Sequence, residues 1–86
     1  MIKAEEIRKK MRISHANLDS DIDDNIIAAR LDMSRAGIGE SIDDALTDKA
    51  IELYVKAQFD YLGKGDQFQK QYENLRDSMS LAGKYR

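Results

Sequence analysis

Four aspartates, Asp19, Asp21, Asp23 and Asp24, occupy six consecutive positions within the stretch LDSDIDDNIIAAR. Acids at alternate positions open a helix-loop-helix calcium site, whose first, third and fifth residues supply oxygen ligands. Counted from Asp19, the sixth position holds Asp24 where the sharp turn needs glycine, and the twelfth holds Arg30 where a bidentate glutamate is required. The stretch is therefore not a calcium loop. Acids placed here predict a helix start, where carboxylates accept bonds from unpaired backbone N–H groups and oppose the helix dipole for about 0.3 to 1 kcal/mol each. Capping accounts for one or two of the four, which leaves a surplus for assembly or a charged partner. Asp43 and Asp44 repeat the arrangement ahead of the next periodic segment and read the same way.

Other chemistry is sparse. His15 is the single histidine, in a polar loop beside Ser14 and Asn17, with no nucleophile marked out near it. Cysteine is absent, which removes thiolate metal sites and disulfides. GIGES and GKGDQ lack the spacing of phosphate-cradling loops. The sequence predicts no enzymatic activity, no cofactor and no metal. The basic run RKKMR at residues 8–12 could touch phosphate, so a small helical DNA-binding or regulatory protein is the rival reading. Against it, the second and third periodic segments are net acidic, whereas a DNA reader concentrates basic charge on one helix.

The elements that must carry these residues are helical. Proline is absent, and glycine is confined to Gly37, Gly39, Gly63, Gly65 and Gly83, in pairs or near the end, where helices stop. A short first helix is predicted over about 3–11, with Ile7 and Met11 inward. A second, about 20–36, carries Ile22, Ile26, Ala29, Met33 and Ala36 at steps of three and four, with Ile27 widening the stripe. A third, about 44–62, places Leu46, Ala50, Leu53, Tyr54, Ala57 and Tyr61 on one side and Ile51, Val55 and Phe59 on another. Its apolar arc is wide enough for a central helix or one that also meets a neighbouring subunit. A fourth, about 66–81, repeats Phe68, Tyr72, Leu75 and Met79, and a flexible tail covers 82–86. The fold class is all-α, a small antiparallel bundle of about four helices in a single domain over 1–86.

At 86 residues the core is thin, and oligomerisation is a natural way to supplement it. No segment has the run of apolar residues that a membrane span needs, and MIKAEEIRKKM carries charges where an export signal needs its apolar region, so neither membrane insertion nor that export route is expected. Charge is uneven: +3 over residues 1–12, −7 over 13–63 and +2 over 64–86.

Two blocks, MRISHANLDSDIDDNIIAARLDMSRAG and DKAIELYVKAQFDYLGKGDQFQKQYENLRDSMSLAGKY, together resemble the short head-tail connector (head-completion, DNA-packaging adaptor) proteins of tailed bacteriophages. Arg12, Ile13, Asp19, Asp21, Ile26, Ile27, Ala28 and Ala29 carry the first block. Ala50, Ile51, Leu53, Tyr54, Val55, Tyr61, Tyr72, Glu73 and Leu75 carry the second. Many relatives have a proline near the start of the third helix, where Thr47 or Asp48 stands here.

The resemblance implies a structural subunit of the virion head-tail junction, made in the bacterial host cytoplasm. Such subunits form a homo-oligomeric ring on the portal vertex after packaging. The ring bridges the portal protein and a tail-side connector or stopper protein, and double-stranded DNA passes through it without sequence-specific binding. A ring needs two unlike complementary patches on each subunit. The wide arc of the third helix and the contrast between basic ends and acidic middle are the candidates. Asp19, Asp21, Asp23, Asp24, Asp43 and Asp44 are expected at a subunit interface or lining the DNA passage, where negative charge would keep DNA mobile. Leu81, Lys84, Tyr85 and Arg86 are expected to dock on the portal as a frayed end that orders on contact.

Overall fold

In the computed structural model, which describes residues 2–85, the apolar repeat of the second segment becomes the buried stripe of a helix, with Ile22, Ile26, Ala29 and Met33 all inside. Four α-helices result: α1 Ala4–Lys10, α2 Asp19–Arg35, α3 Ala45–Gln58 and α4 Gly65–Leu81. Short 3-10 turns follow α3 (Tyr61–Gly63) and α4 (Gly83–Tyr85), and no strand occurs among the described residues. The expected all-α bundle is the observed one.

α3 is the central helix. Ala50, Ile51, Leu53 and Val55 are buried between α2 on one side and α4 on the other. Most of the wide apolar arc is thus consumed inside the subunit, Leu46 excepted. α4 returns antiparallel to α3, with Tyr72 against Tyr54 and Tyr85 reaching back to Asp44 at the start of α3. α1 packs on α2, burying Ala4 and Ile7. The Ile2 N–H just ahead of it donates to Asp48 Oδ1 at 3.0 Å.

The start of α3 follows from local chemistry. Asp44 is extended and accepts from the N–H groups of Leu46 (3.1 Å) and Thr47 (3.0 Å), while Thr47 Oγ1 accepts from the Asp44 N–H at 2.9 Å. This reciprocal box satisfies donors that the helix itself leaves unpaired. α2 differs from expectation. Its cap position is Leu18 at φ −97 and ψ 1, and no side chain caps it. Asp19 is turned instead towards α1, its Oδ1 in ion-pair contact with Arg8 Nε at 2.9 Å.

Three further expectations are corrected. Ile27 points to solvent, and Leu46 is exposed as well. α3 stops at Gln58 rather than 62 because Asp60 (φ 48) and Leu62 (φ 56) take the left-handed conformation, which ends helical hydrogen bonding. The tail is not a frayed end over its described residues. Tyr85 is only 2% exposed, its hydroxyl donates to Asp44 Oδ2 at 2.8 Å, and its carbonyl accepts from the Gly39 N–H at 2.6 Å. Arg86 lies outside the described residues.

The turn into α4 depends on Gly65. A Cβ there would stand 2.6 Å from Asp60 Oδ1 and 3.1 Å from the Ala57 carbonyl oxygen, and Asp60 Oδ1 already accepts from the Gly65 N–H at 2.7 Å. Gly65→Ala is expected to cost about 1 to 3 kcal/mol in urea unfolding, the usual range for forced overpacking. An unchanged midpoint would show that the turn relaxes freely.

Candidate interaction surface

The six aspartates singled out from the sequence do not act as one group. Asp19 joins α2 to α1, and Asp44 caps α3 and holds the C-terminal residues. Hydrogen bonds from the Thr47 backbone and the Tyr85 hydroxyl keep the Asp44 carboxyl below the usual carboxylate range. Asp21, Asp23 and Asp24 are exposed on α2, where a step of about 100° per residue fans their side chains apart. Among the described residues no set of three or more His, Cys, Asp or Glu side chains is gathered to hold a metal ion. His15 is exposed.

What α2 presents to solvent is apolar. Ile27 and Leu31, one turn apart, are 60% and 54% exposed and form a ridge. Beside it runs an open groove of about 540 Å³, with Ile26, Ile27, Arg30 and Leu31 on the helix side and Glu40, Ser41 and Asp43 opposite. On the other flank, Asp19 and Asp23 face Ile2, Lys3, Ala4 and Glu5 across a second depression that shares Ile26 and Ile27. Asp19, Asp23 and Asp43 are therefore the three predicted residues that the fold brings to one surface, around an apolar ridge.

The far wall of the groove is fixed in place. Arg30 Nη2 donates to the Ile42 carbonyl at 2.9 Å, and Ser34 Oγ donates to Glu40 Oε1 at 3.1 Å. Tyr85 holds Gly39 and Asp44 from behind. The C-terminal residues, expected to reach outward, brace this wall. Leu81, 79% exposed, and Lys84 do remain on the surface.

A second apolar feature projects at the other end of α3. Leu62 is 70% exposed on a knuckle where Asp60, Leu62 and Gly63 all have positive φ. Each non-glycine residue held there costs on the order of 1 to 2 kcal/mol. Hydrogen bonds from Gly63 N–H to the Asp60 carbonyl (2.8 Å) and from Lys64 N–H to the Tyr61 carbonyl (3.1 Å) set the shape. Behind them Lys56 Nζ lies 5.5 Å from the Tyr61 ring centre and 5.6 Å from that of Phe68.

No family model, curated protein or solved structure matches the chain. An apolar ridge bordered by carboxylates, on a backbone held by hydrogen bonds, suits an apolar partner segment carrying basic charge. The sequence pattern contained Ile27, placed beside the inward stripe, but not Leu31 or the groove, whose opposite strip, residues 40–43, is brought there only by tertiary contacts.

Proposed function

We propose that the chain is a structural assembly subunit of the phage head-tail connector kind. It forms a ring on the portal vertex that bridges portal and tail-side connector or stopper proteins while DNA passes through. The observation that carries this reading is the exposed Ile27–Leu31 ridge between two acid-bordered grooves, an interaction surface on a small folded unit. It takes the place of the α3 arc as the assembly patch. Asp21 and Asp24, exposed beside it, are the aspartates left to line a DNA passage, and Leu81 with Lys84 the surface left to meet the portal. In RKKMR, the run behind the rival DNA-binding reading, Lys9, Lys10 and Arg12 stay exposed, the first two in ion pairs that solvent screens. Arg8 pairs with Asp19, Lys9 with Glu5 at 3.1 Å and Lys10 with Glu52 at 3.0 Å.

The test is native mass spectrometry over a concentration series, with and without a tailed-phage portal protein. The wild-type chain should form a ring or be captured by portal. Ile27→Asp combined with Leu31→Asp should keep the helical circular dichroism and weaken capture about tenfold or more, as expected for central apolar contacts. Capture of that variant at wild-type strength, or tight salt-sensitive binding of free duplex DNA by the wild type, would overturn the proposal.

A further inference from the structure

We propose that the groove on α2 of one copy receives the Asp60–Lys64 knuckle of a second copy of this chain, with Leu62 as the inserting side chain. The inference rests on the assembly reading above and names the occupant of its surface.

The two features are unlike and complementary. The groove has an apolar floor at Ile26, Ile27 and Leu31, carboxylates at Glu40 and Asp43, and Arg30 at its edge. The knuckle has one apolar tip, Leu62, followed by exposed Lys64 and Asp66. Lys64 is opposite in sign to Glu40 on the exposed rim of the groove, and Leu62 matches its apolar floor.

Position separates them within one molecule. The strip 40–43 leads into the first turn of α3, and the knuckle follows its last turn, so the 14 residues of α3 set them about 21 Å apart. A subunit cannot fill its own groove with its own knuckle. Contact between unlike patches at opposite ends is head-to-tail, the type that closes into a ring when the rotation between copies permits.

The conformation of Leu62 points the same way. A leucine with positive φ, exposed to water, gives the isolated subunit neither backbone comfort nor apolar burial, and glycine would satisfy the turn better. Its side chain becomes useful when another surface covers it. Both partners are already shaped, since Asp60 accepts from Gly65 behind the tip and Arg30 holds Ile42 behind the wall. Little ordering is left to oppose the contact.

Leu62→Gly separates folding from assembly. The variant should melt at or above the wild-type temperature, because glycine relieves the left-handed residue, and should need about tenfold or more concentration to associate. The chain has no native cysteine, so single variants report contacts cleanly. An equimolar mixture of Leu62→Cys and Leu31→Cys chains should oxidise to mixed dimers in preference to either like pair. Unaltered association of Leu62→Gly would overturn the inference. So would Leu31→Cys chains linking to themselves while Leu62→Cys stays unlinked, or a wild-type chain that stays monomeric at about millimolar concentration. Portal capture is measured apart from this. If capture persists while the Leu62 contact fails, this inference alone falls. If copies join through Leu62 but portal is ignored, the portal assignment alone falls.

Discussion

Tyr72→Ala is expected to remove a large part of the protein's stability, and Tyr72→Phe to lower it by about 1.5 to 3 kcal/mol, the range for a hydrogen bond to a charged group. The Tyr72 ring is fully buried on α4 and meets the Tyr54 ring of α3 edge-on, with centres 5.1 Å apart. Its hydroxyl donates to Asp32 Oδ2 of α2 at 2.6 Å, and Arg76 Nη1 donates to the same oxygen at 2.9 Å. One side chain thus ties three helices together. Truncating a buried aromatic to alanine costs about 3 to 5 kcal/mol, against a total of about 5 to 15 kcal/mol for natural domains, with small ones at the low end. Burial and the neighbouring Asp32 carboxylate push the Tyr72 hydroxyl well above its ordinary pKa, so it stays a donor throughout the working range. Urea unfolding followed by far-UV circular dichroism reads both variants. Wild-type stability in Tyr72→Phe would mean that Arg76 alone satisfies Asp32.

Tyr72 also shows what could be read in advance. Its inward position follows from the Phe68, Tyr72, Leu75, Met79 repeat, because a period near 3.6 puts those residues on one face whatever they meet. Its partner could not be read, since Asp32 lies forty positions away on the flank of α2. The same division runs through the molecule. Asp44 was legible as a cap because its partners are two and three residues ahead. Asp19 was not, because Arg8 on another helix takes it. Ile27 borders the buried stripe, and its burial depended on whether a neighbour lay over that flank; none of the described residues covers it. The break after Gln58 has no proline or adjacent glycine to mark it. The left-handed Asp60 and Leu62 are sustained by the Gly65 contact, a local arrangement that composition does not encode. Tyr85 lies where a frayed end is expected, because chain ends usually fray. Its burial follows from the antiparallel return of α4, which delivers it to Asp44. The groove needs the α2 face with Ile27, the 40–43 strip and the Tyr85 brace at once, so its residues are visible singly in the sequence and its shape is not.

Glu52→Ala is the second large effect expected, a loss of about 2 to 3 kcal/mol. That lies below the 3 to 5 kcal/mol typical of a broken buried ion pair because two of its partners are half in water. Glu52 is buried in the middle of α3, and its carboxylate gathers Lys56 at 2.8 Å, Lys10 of α1 at 3.0 Å and Lys49 at 3.8 Å. Lys10 ties the end of α1 to α3, beside the buried Met11. Burial alone would raise the Glu52 carboxyl, but the hydrogen bonds from Lys56 and Lys10 outweigh it and hold the group below its ordinary value. Asp32 is lowered in the same way, its burial outweighed by Tyr72 and Arg76. A carboxyl whose folded pKa lies below the unfolded one contributes stability that is present above the unfolded value, about 4, and lost as pH falls through the folded value. Lys10 has the opposite sign. Its bond to Glu52 raises it, so its contribution is complete below the unfolded lysine pKa and is lost as pH rises through the folded one. Stability should therefore be level from about pH 5 to 10 and fall at both ends. Glu52→Gln should flatten both slopes, and Glu52→Met, which fills the same space without a charge to desolvate, should be more stable than Glu52→Ala. Denaturation midpoints across that pH range decide it. If Glu52→Gln kept the full acid slope, the carboxyls governing acid unfolding would be elsewhere, with Asp32 beneath Tyr72 the first to examine.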